Sequence, residues 1–397
     1  MCATDFTPDW FESRLLKLPR ADSLNSVDLI RVIARRCGAP GFDLPDHAAE
    51  LDAAIGEGRH LVFVVLDGMG SEQLAESPGC AFLKDNVSFH VGSVFPSTTA
   101  AALTTFATAR WPGDHGVLSW WMYLPDRDLS VTTIPFVERF TERPLAELGI
   151  DPAAVYTSAG ILDTFTCAAA SLLPIKYTDT AYSRFASAET SRIGYESVEH
   201  AMELVATLCR DAKEPTFTYL YLPQYDALCH DHGTGHDRPR AALTAMSDAL
   251  ARLRTGLPED ASLVVTADHG LVDVPEEDAC ILEEGDPLLD MLRCPPTGEA
   301  RTPFLHVREG NLDVFRERFD ERFGSRFALV APAEAERLGL FGPPPYSRAA
   351  RARLGDWIAI APRPTCLEYR GGGGEGRFAG FHGGLSAREM TVPVIIC

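Results

Sequence analysis

Three aspartates and three histidines, scattered from residue 67 to residue 382, are the side chains in this sequence best suited to act together. Asp67 closes LVFVVLDG, Asp226 and His230 lie in QYDALCH, Asp268 and His269 in VVTADHG, and His382 in FHGG. Taken singly, an Asp near a Gly is an ordinary turn residue. Jointly the pattern reads as metal chemistry. Asp226 and His230 are four apart, a spacing that brings both onto one face of a helical turn. Six oxygen and nitrogen ligands exceed what one ion needs, and two divalent ions sharing them is the natural division. Mixed carboxylate and imidazole ligands suit Zn²⁺, with Mn²⁺ or Fe as alternatives, and disfavour an all-oxygen Mg²⁺ or Ca²⁺ site. Two such ions about 4 Å apart can hold both the attacking and the leaving oxygen of a phosphoryl transfer. The nucleophile expected beside them is an alcohol where a helix begins, because free backbone N–H groups there favour a phosphate. VFPSTTAAALTTF offers Ser97, Thr98 and Thr99 at such a junction.

These side chains need elements to position them. HLVFVVLDGMG (60–70) is a continuous apolar, β-branched run without polar alternation, the signature of a parallel strand buried on both faces. FTYLYLP (217–223) and SLVVTADHG (262–270) read the same way, and AVYTSAG (154–160) is a weaker strand candidate. Helices are expected over 98–109, 196–212 and 238–257. Strands alternating with such helices predict an α/β fold, a doubly wound, mostly parallel sheet flanked by helices. Functional groups gather at the carboxyl ends of the strands in such sheets, and Asp67, Asp226 and Asp268 each follow one. Residues 283–350, rich in Pro, Arg and Glu, break the rhythm and read as a smaller inserted lobe facing substrate, with 1–282 and 351–397 forming the core. GDWIAIAPRPTCLEYR (355–370) suggests a return to strand or hairpin, and GGGGEG (371–376) a mobile loop.

With 397 residues, 46% of them hydrophobic, the chain can bury a large core. Its net charge of −20 disfavours nucleic acid and anionic membrane as partners, while leaving room for a small phosphorylated substrate. The opening MCATDFTPDWFESRLLKLPR has early acids and no apolar core, unlike a secretory signal. No run of about 18 apolar residues suggests a membrane span. Ten scattered cysteines without a CxxC pair fit reduced thiols, so a cytoplasmic location is expected.

LDGMG (66–70), PSTTAAALTTFATARWPGDHGV (96–117), DALCHDHG (226–233), ADHG (267–270) and FHGG (381–384) together resemble the type I phosphodiesterase / nucleotide pyrophosphatase family of the alkaline phosphatase superfamily, in the family's order. The closing HGGLSAREMTVPVII is also similar to the end of its PglZ-type branch. The resemblance implies one metal held by Asp226, His230 and His382, and another by Asp67, Asp268, His269 and the nucleophile. The family's spacing, three after Pro96 and sixteen before His115, implies Thr99 as that nucleophile, with Thr98 second. The implied function is a dinuclear metal-dependent hydrolase of phosphodiester or nucleotide pyrophosphate bonds, acting through a phosphothreonine. A phosphomonoesterase or phosphonate hydrolase on the same site is the alternative, and a noncatalytic binding module the alternative from another class.

The sequence departs from the family at three places. Cys229 stands where Gly usually precedes the ligand His, and Gln224-Tyr225 where Glu-Pro often precedes the ligand Asp. Trp120 stands where the nucleotide pyrophosphatases carry an Asn that contacts a phosphate oxygen. Trp120 is therefore a candidate substrate contact, as an aromatic wall, or else plain core. His115 reads as structural, Cys229 as a small buried residue, and Asp231, His232, His236 and Asp237 as solvated.

Overall fold

The structure, a computed structural model, describes residues 16–371 and 378–397. The opening segment before residue 16 and nearly all of the GGGGEG tract lie outside the described residues. Numbering only the strands of the central sheet, these are β1 (His60–Leu66), β2 (Val87–Gly92), β3 (Ala168–Pro174), β4 (Ser191–Tyr195), β5 (Thr216–Leu222), β6 (Ala261–Thr266) and β7 (Thr391–Ile396), arranged β2-β7-β6-β1-β5-β3-β4. Every residue of β1 is buried. A strand with both faces covered needs apolar residues on both faces, which is why its sequence shows no alternation.

β6, β1 and β5 are neighbours and run parallel, with His60 opposite both Ala261 and Thr216. Their carboxyl ends therefore meet at one edge. Asp67, one residue beyond β1, donates its N–H to Leu222 O at 3.0 Å and extends the ladder to that edge. β7 alone runs antiparallel to its neighbours. It starts at the same edge, so the residues just before it, His382 included, also lie there.

Helix α1 (Thr99–Thr108) follows the loop after β2, and α2 (Gln224–His232) follows β5 directly. The expected longer helices occur at Val198–Asp211 and Asp237–Gly256. AVYTSAG is not a strand. Asp151 accepts from Ala153 N and Pro152 takes the first helical position, so the chain makes a helical turn over Pro152–Val155 instead. The strand in this part of the chain is β3, AAASLLP, whose alanines and serine carry little strand propensity.

A second, antiparallel sheet draws its strands from two stretches of sequence, in the order Ala328–Val330, Trp357–Ile360, Thr302–Leu305, Thr297–Glu299, Trp121–Leu124, Leu129–Thr132, Val137–Glu138. Gly298 pairs with Trp121 and joins the two stretches. Trp357–Ile360 and Cys366–Arg370 are both strands but not a hairpin: the first pairs with Thr302–Leu305, the second runs parallel to Ala279–Glu283. Among the described residues, no helix is long and apolar enough to cross a membrane.

One ion pair ties the second sheet to the loop before β7. Arg301 and Glu389 are fully buried and bonded fork to fork, Nε to Oε1 at 2.6 Å and Nη2 to Oε2 at 2.9 Å. Arg301 Nη1 also donates to Thr365 O and Arg363 O, and Glu389 accepts from Gly384 N at 2.8 Å. Removing one partner strands a buried charge, which costs more than the pair itself contributes. Arg301→Ala should lower the unfolding free energy in urea by about 3–5 kcal/mol. Replacing both partners with apolar residues should restore part of that loss.

Candidate active site

The sheet edge gathers all the expected ligands. The donor atoms of Asp226, His230 and His382 lie within 4.8 Å of one another, as do those of Asp67, Asp226 and His269. Asp226 thus belongs to both groups. Asp268 adjoins the second: its Oδ2 is 3.4 Å from His269 Nε2, while its Oδ1 accepts from Gly68 N and His269 N at 3.0 Å each. Gly68, at φ +75°, permits this crowding, since a Cβ there would stand 3.0 Å from Asp226 Oδ1.

All three imidazoles face the same way chemically. The Nδ1 of His230 contacts Gly380 O at 2.8 Å, that of His269 Gly270 O at 3.1 Å, and that of His382 Ser97 O at 3.1 Å. A carbonyl can only accept, so each Nδ1 carries the proton and each Nε2 keeps a free lone pair in the neutral ring. Such second-partner bonds accompany metal-ligating histidines. The Nε2 atoms meet the carboxylates: His230 to Asp226 at 3.2 Å, His269 to Asp67 at 3.4 Å.

The charges are frustrated without a cation. Burial, and then the neighbouring Asp268 and Asp226, push Asp67 well above the usual carboxylate range. Burial and His269 hold His382 well below the usual imidazole range. Burial opposes the charge of His230, but Asp226 beside it raises the ring to about 9. Asp226 Oδ1 and Asp268 Oδ2 are buried without a hydrogen-bond partner. Buried carboxylate oxygens left unpaired are costly unless they coordinate a cation. The donor set fits two divalent ions.

Thr99 stands beside this cluster. Its Oγ1 is 3.2 Å from His269 Nε2 and 3.5 Å from Asp67 Oδ1. Tyr221 donates its phenol hydrogen to Asp67 Oδ2, leaving Oδ1 to face Thr99. Thr98 occupies the N-cap of α1 and makes no capping bond, so the first N–H groups of the helix stay free.

Residues 61–384 match the family model of type I phosphodiesterase / nucleotide pyrophosphatase. The chain belongs to that family. It is a metal-dependent phosphoester hydrolase, and the family is dinuclear. No curated protein sequence matches it. Similar solved structures include murine ectonucleotide pyrophosphatase / phosphodiesterase 5 (TM-score 0.63, 17% identity, 84% of this chain and 87% of that one). The human protein of that name matches at TM-score 0.63 and 18% identity, over 85% and 87% of the two chains. Phosphonoacetate hydrolase from Sinorhizobium meliloti 1021 matches at TM-score 0.58 and 18% identity, over 85% and 90%. At such identities these likenesses show the shared fold.

Within this family frame, the other residues sort by place. His115 is fully buried away from the cluster: its Nδ1 accepts from Val117 N at 3.1 Å, its Nε2 meets Thr105 Oγ1, and burial lowers it to about 3. His232 and His236 stack on each other near the surface, and Asp231 and Asp237 are exposed. Cys229 is buried, with its carbonyl packed under Gly380. Trp120 is half-buried against the main core. Its backbone, not its ring, makes the polar contact: Trp120 N donates to Glu299 Oε1 at 2.6 Å. Glu299 and Tyr221 are the site residues that sequence reasoning missed. Glu299 lies in a three-residue strand without a motif, and nothing local marks it. Tyr221 carried a signal, since its alternation with Leu220 and Leu222 at the end of an otherwise apolar strand leaves a hydroxyl near Asp67. Burial raises Glu299 to about 7, although Trp120 N–H, the Thr98 hydroxyl and the nearby His269 and His230 pull it back.

Because Asp226 borders both groups, Asp226→Asn should lower bound metal from about two ions per chain to fewer than one. His382→Ala should leave about one. Elemental analysis of purified variants reads both outcomes.

Proposed function

We propose that this protein hydrolyses phosphodiester or nucleotide pyrophosphate bonds by transferring the phosphoryl group first to Thr99 and then to water. The observation that carries the reading is the Thr99 hydroxyl at a helix start, 3.2 Å from His269 Nε2 and beside a buried cluster of acids and imidazoles. Support also comes from the murine relative, of which an inactive threonine-to-alanine variant is solved in complex with AMP.

Asp226, His230 and His382 would hold one cation, and Asp67, Asp226, Asp268 and His269 the other, with Thr99 beside it. We infer zinc as the ion, since imidazole and carboxylate together suit it. When bound, the two ions supply positive charge to the entering and leaving oxygens.

The chain's own groups do the rest. Thr99 Oγ1 attacks phosphorus in line, an Oγ1–P bond forming as the bond to the leaving oxygen breaks. Asp67 Oδ1, which faces the Thr99 hydroxyl at 3.5 Å, is the acceptor for the Thr99 proton. The free N–H groups at the start of α1 donate to a nonbridging oxygen. The leaving oxygen takes its proton from solvent. The other ester group stays on phosphorus, and water then cleaves this Thr99 ester, releasing a phosphomonoester and restoring the hydroxyl.

Thr99→Ala should lower kcat on bis-p-nitrophenyl phosphate at least about a thousandfold with bound metal retained, whereas Thr98→Ala should stay within about tenfold. Acid quenching of the wild type should trap a p-nitrophenyl phosphoryl group on the peptide carrying Thr99, read by mass spectrometry. Turnover surviving in the Thr99 variant would remove Thr99 as nucleophile.

A further inference from the structure

We propose that Glu299 selects the ester: its carboxylate borders the phosphoryl position beside Thr99, admitting a phosphorus with one charged oxygen and turning away one with two. The proposal rests on Thr99 being the nucleophile of a phosphoryl-transfer site.

Glu299 closes the strand Thr297–Glu299 and is only 7% exposed, so water screens its charge poorly. It is clasped from two sides by residues next to the chemistry. The Thr98 hydroxyl, one residue before Thr99, lies close to it. Gly383, one residue after His382, has φ +104°, and a Cβ there would come within 2.5 Å of the Glu299 Cβ. Only a glycine lets the carboxyl reach this place. From there it faces His269 and His230 across the cluster.

Two consequences follow for a bound phosphate. The Trp120 N–H, a donor that a phosphoryl oxygen could use, is already taken by Glu299 Oε1. Above about pH 7, where it is ionised, the carboxylate is also acceptor-only and has no hydrogen to offer an anionic oxygen. A nearby guanidinium does not offset this. Arg139 lies over the Trp121 ring at 4.3 Å and donates to Pro296 O at 2.5 Å. Like charges facing each other in a poorly hydrated place repel strongly. A diester presents one negative charge, a monoester or terminal phosphonate up to two. The site therefore favours diesters by repulsion as well as by fit.

The test compares Glu299→Gln with wild type in the metal-loaded protein. It uses p-nitrophenyl phosphate and bis-p-nitrophenyl phosphate as substrates, and inorganic phosphate as inhibitor. The glutamine, of equal shape and without charge, should raise the monoester-to-diester ratio of kcat/KM at least about tenfold and tighten phosphate inhibition in parallel. A ratio and an inhibition constant both unchanged would overturn the proposal. If the variant does not fold, the wild type decides: inorganic phosphate should inhibit no more tightly than diethyl phosphate, whereas tighter phosphate inhibition would sink the proposal. If the wild type cleaves neither ester, the hydrolase mechanism at Thr99 fails. Calorimetric binding of phosphate and diethyl phosphate to the metal-loaded protein then tests Glu299 separately by the same criterion.

Discussion

Three buried carboxylates brought to one sheet edge are the constraint on which the rest of the structure depends. Asp67, Asp226 and Asp268 follow three adjacent parallel strands, and at least two of their oxygens find no hydrogen-bond partner. Charges so placed are tolerable only with compensating cations or with protons. Among the described residues, no Lys or Arg forms an ion pair with them. The fold surrounds them with histidines whose Nδ1 protons are committed to backbone carbonyls, so that lone pairs rather than charges face inward. Such a cluster is poor material for a stable apo core and suitable material for a divalent metal centre.

The second sheet addresses a different problem. The central sheet supplies the acids of the chemistry, and the second sheet, built from strands at 121–138 and 297–360, brings Glu299 close to them. Their alignment depends on the buried Arg301–Glu389 pair, which locks Thr302–Leu305 and its neighbour to the turn that follows His382. The same turn is bonded by Ser97, whose hydroxyl donates to Gly384 O at 2.7 Å and accepts from Gly383 N. His382, Glu299 and the approach to Thr99 are thus set by one small bonded unit. A buried ion pair adds little net stability over an apolar core, but it permits one alignment and penalises others.

Much of the central sheet was legible because burial on both faces writes itself into sequence as an unbroken apolar run, as in LVFVVL and LVVT. The metal-type residues were legible because each sits within three residues of a strand end or in a helical turn, where spacing carries meaning. β3 was not legible: its Ala and Ser residues serve a strand whose neighbours, not its own propensity, decide its conformation. The second sheet was hidden for another reason. Strands of two to four residues, such as TGE and ALV, are too short for periodicity, and their partners lie far away in sequence. Glu299 falls in that blind spot. Its place beside Thr98 comes from the pairing of Gly298 with Trp121, a contact across almost half the chain.

The histidine bonds show why the site is a property of the whole fold. His230 sits on α2 but is oriented by Gly380, in the segment leading to His382. His382 is oriented by Ser97, two residues before Thr99. Thr99 in turn faces His269 and Asp67, at the ends of β6 and β1. Each group is held by a segment that itself presents another group, so the circuit closes only in one register of strands and loops. A one-residue slip in β1 would turn Asp67 from the edge and release Thr99 from its acceptor. Selection for the chemistry therefore acts on the packing of the sheet as well as on the ligands, and the buried run of β1 serves both.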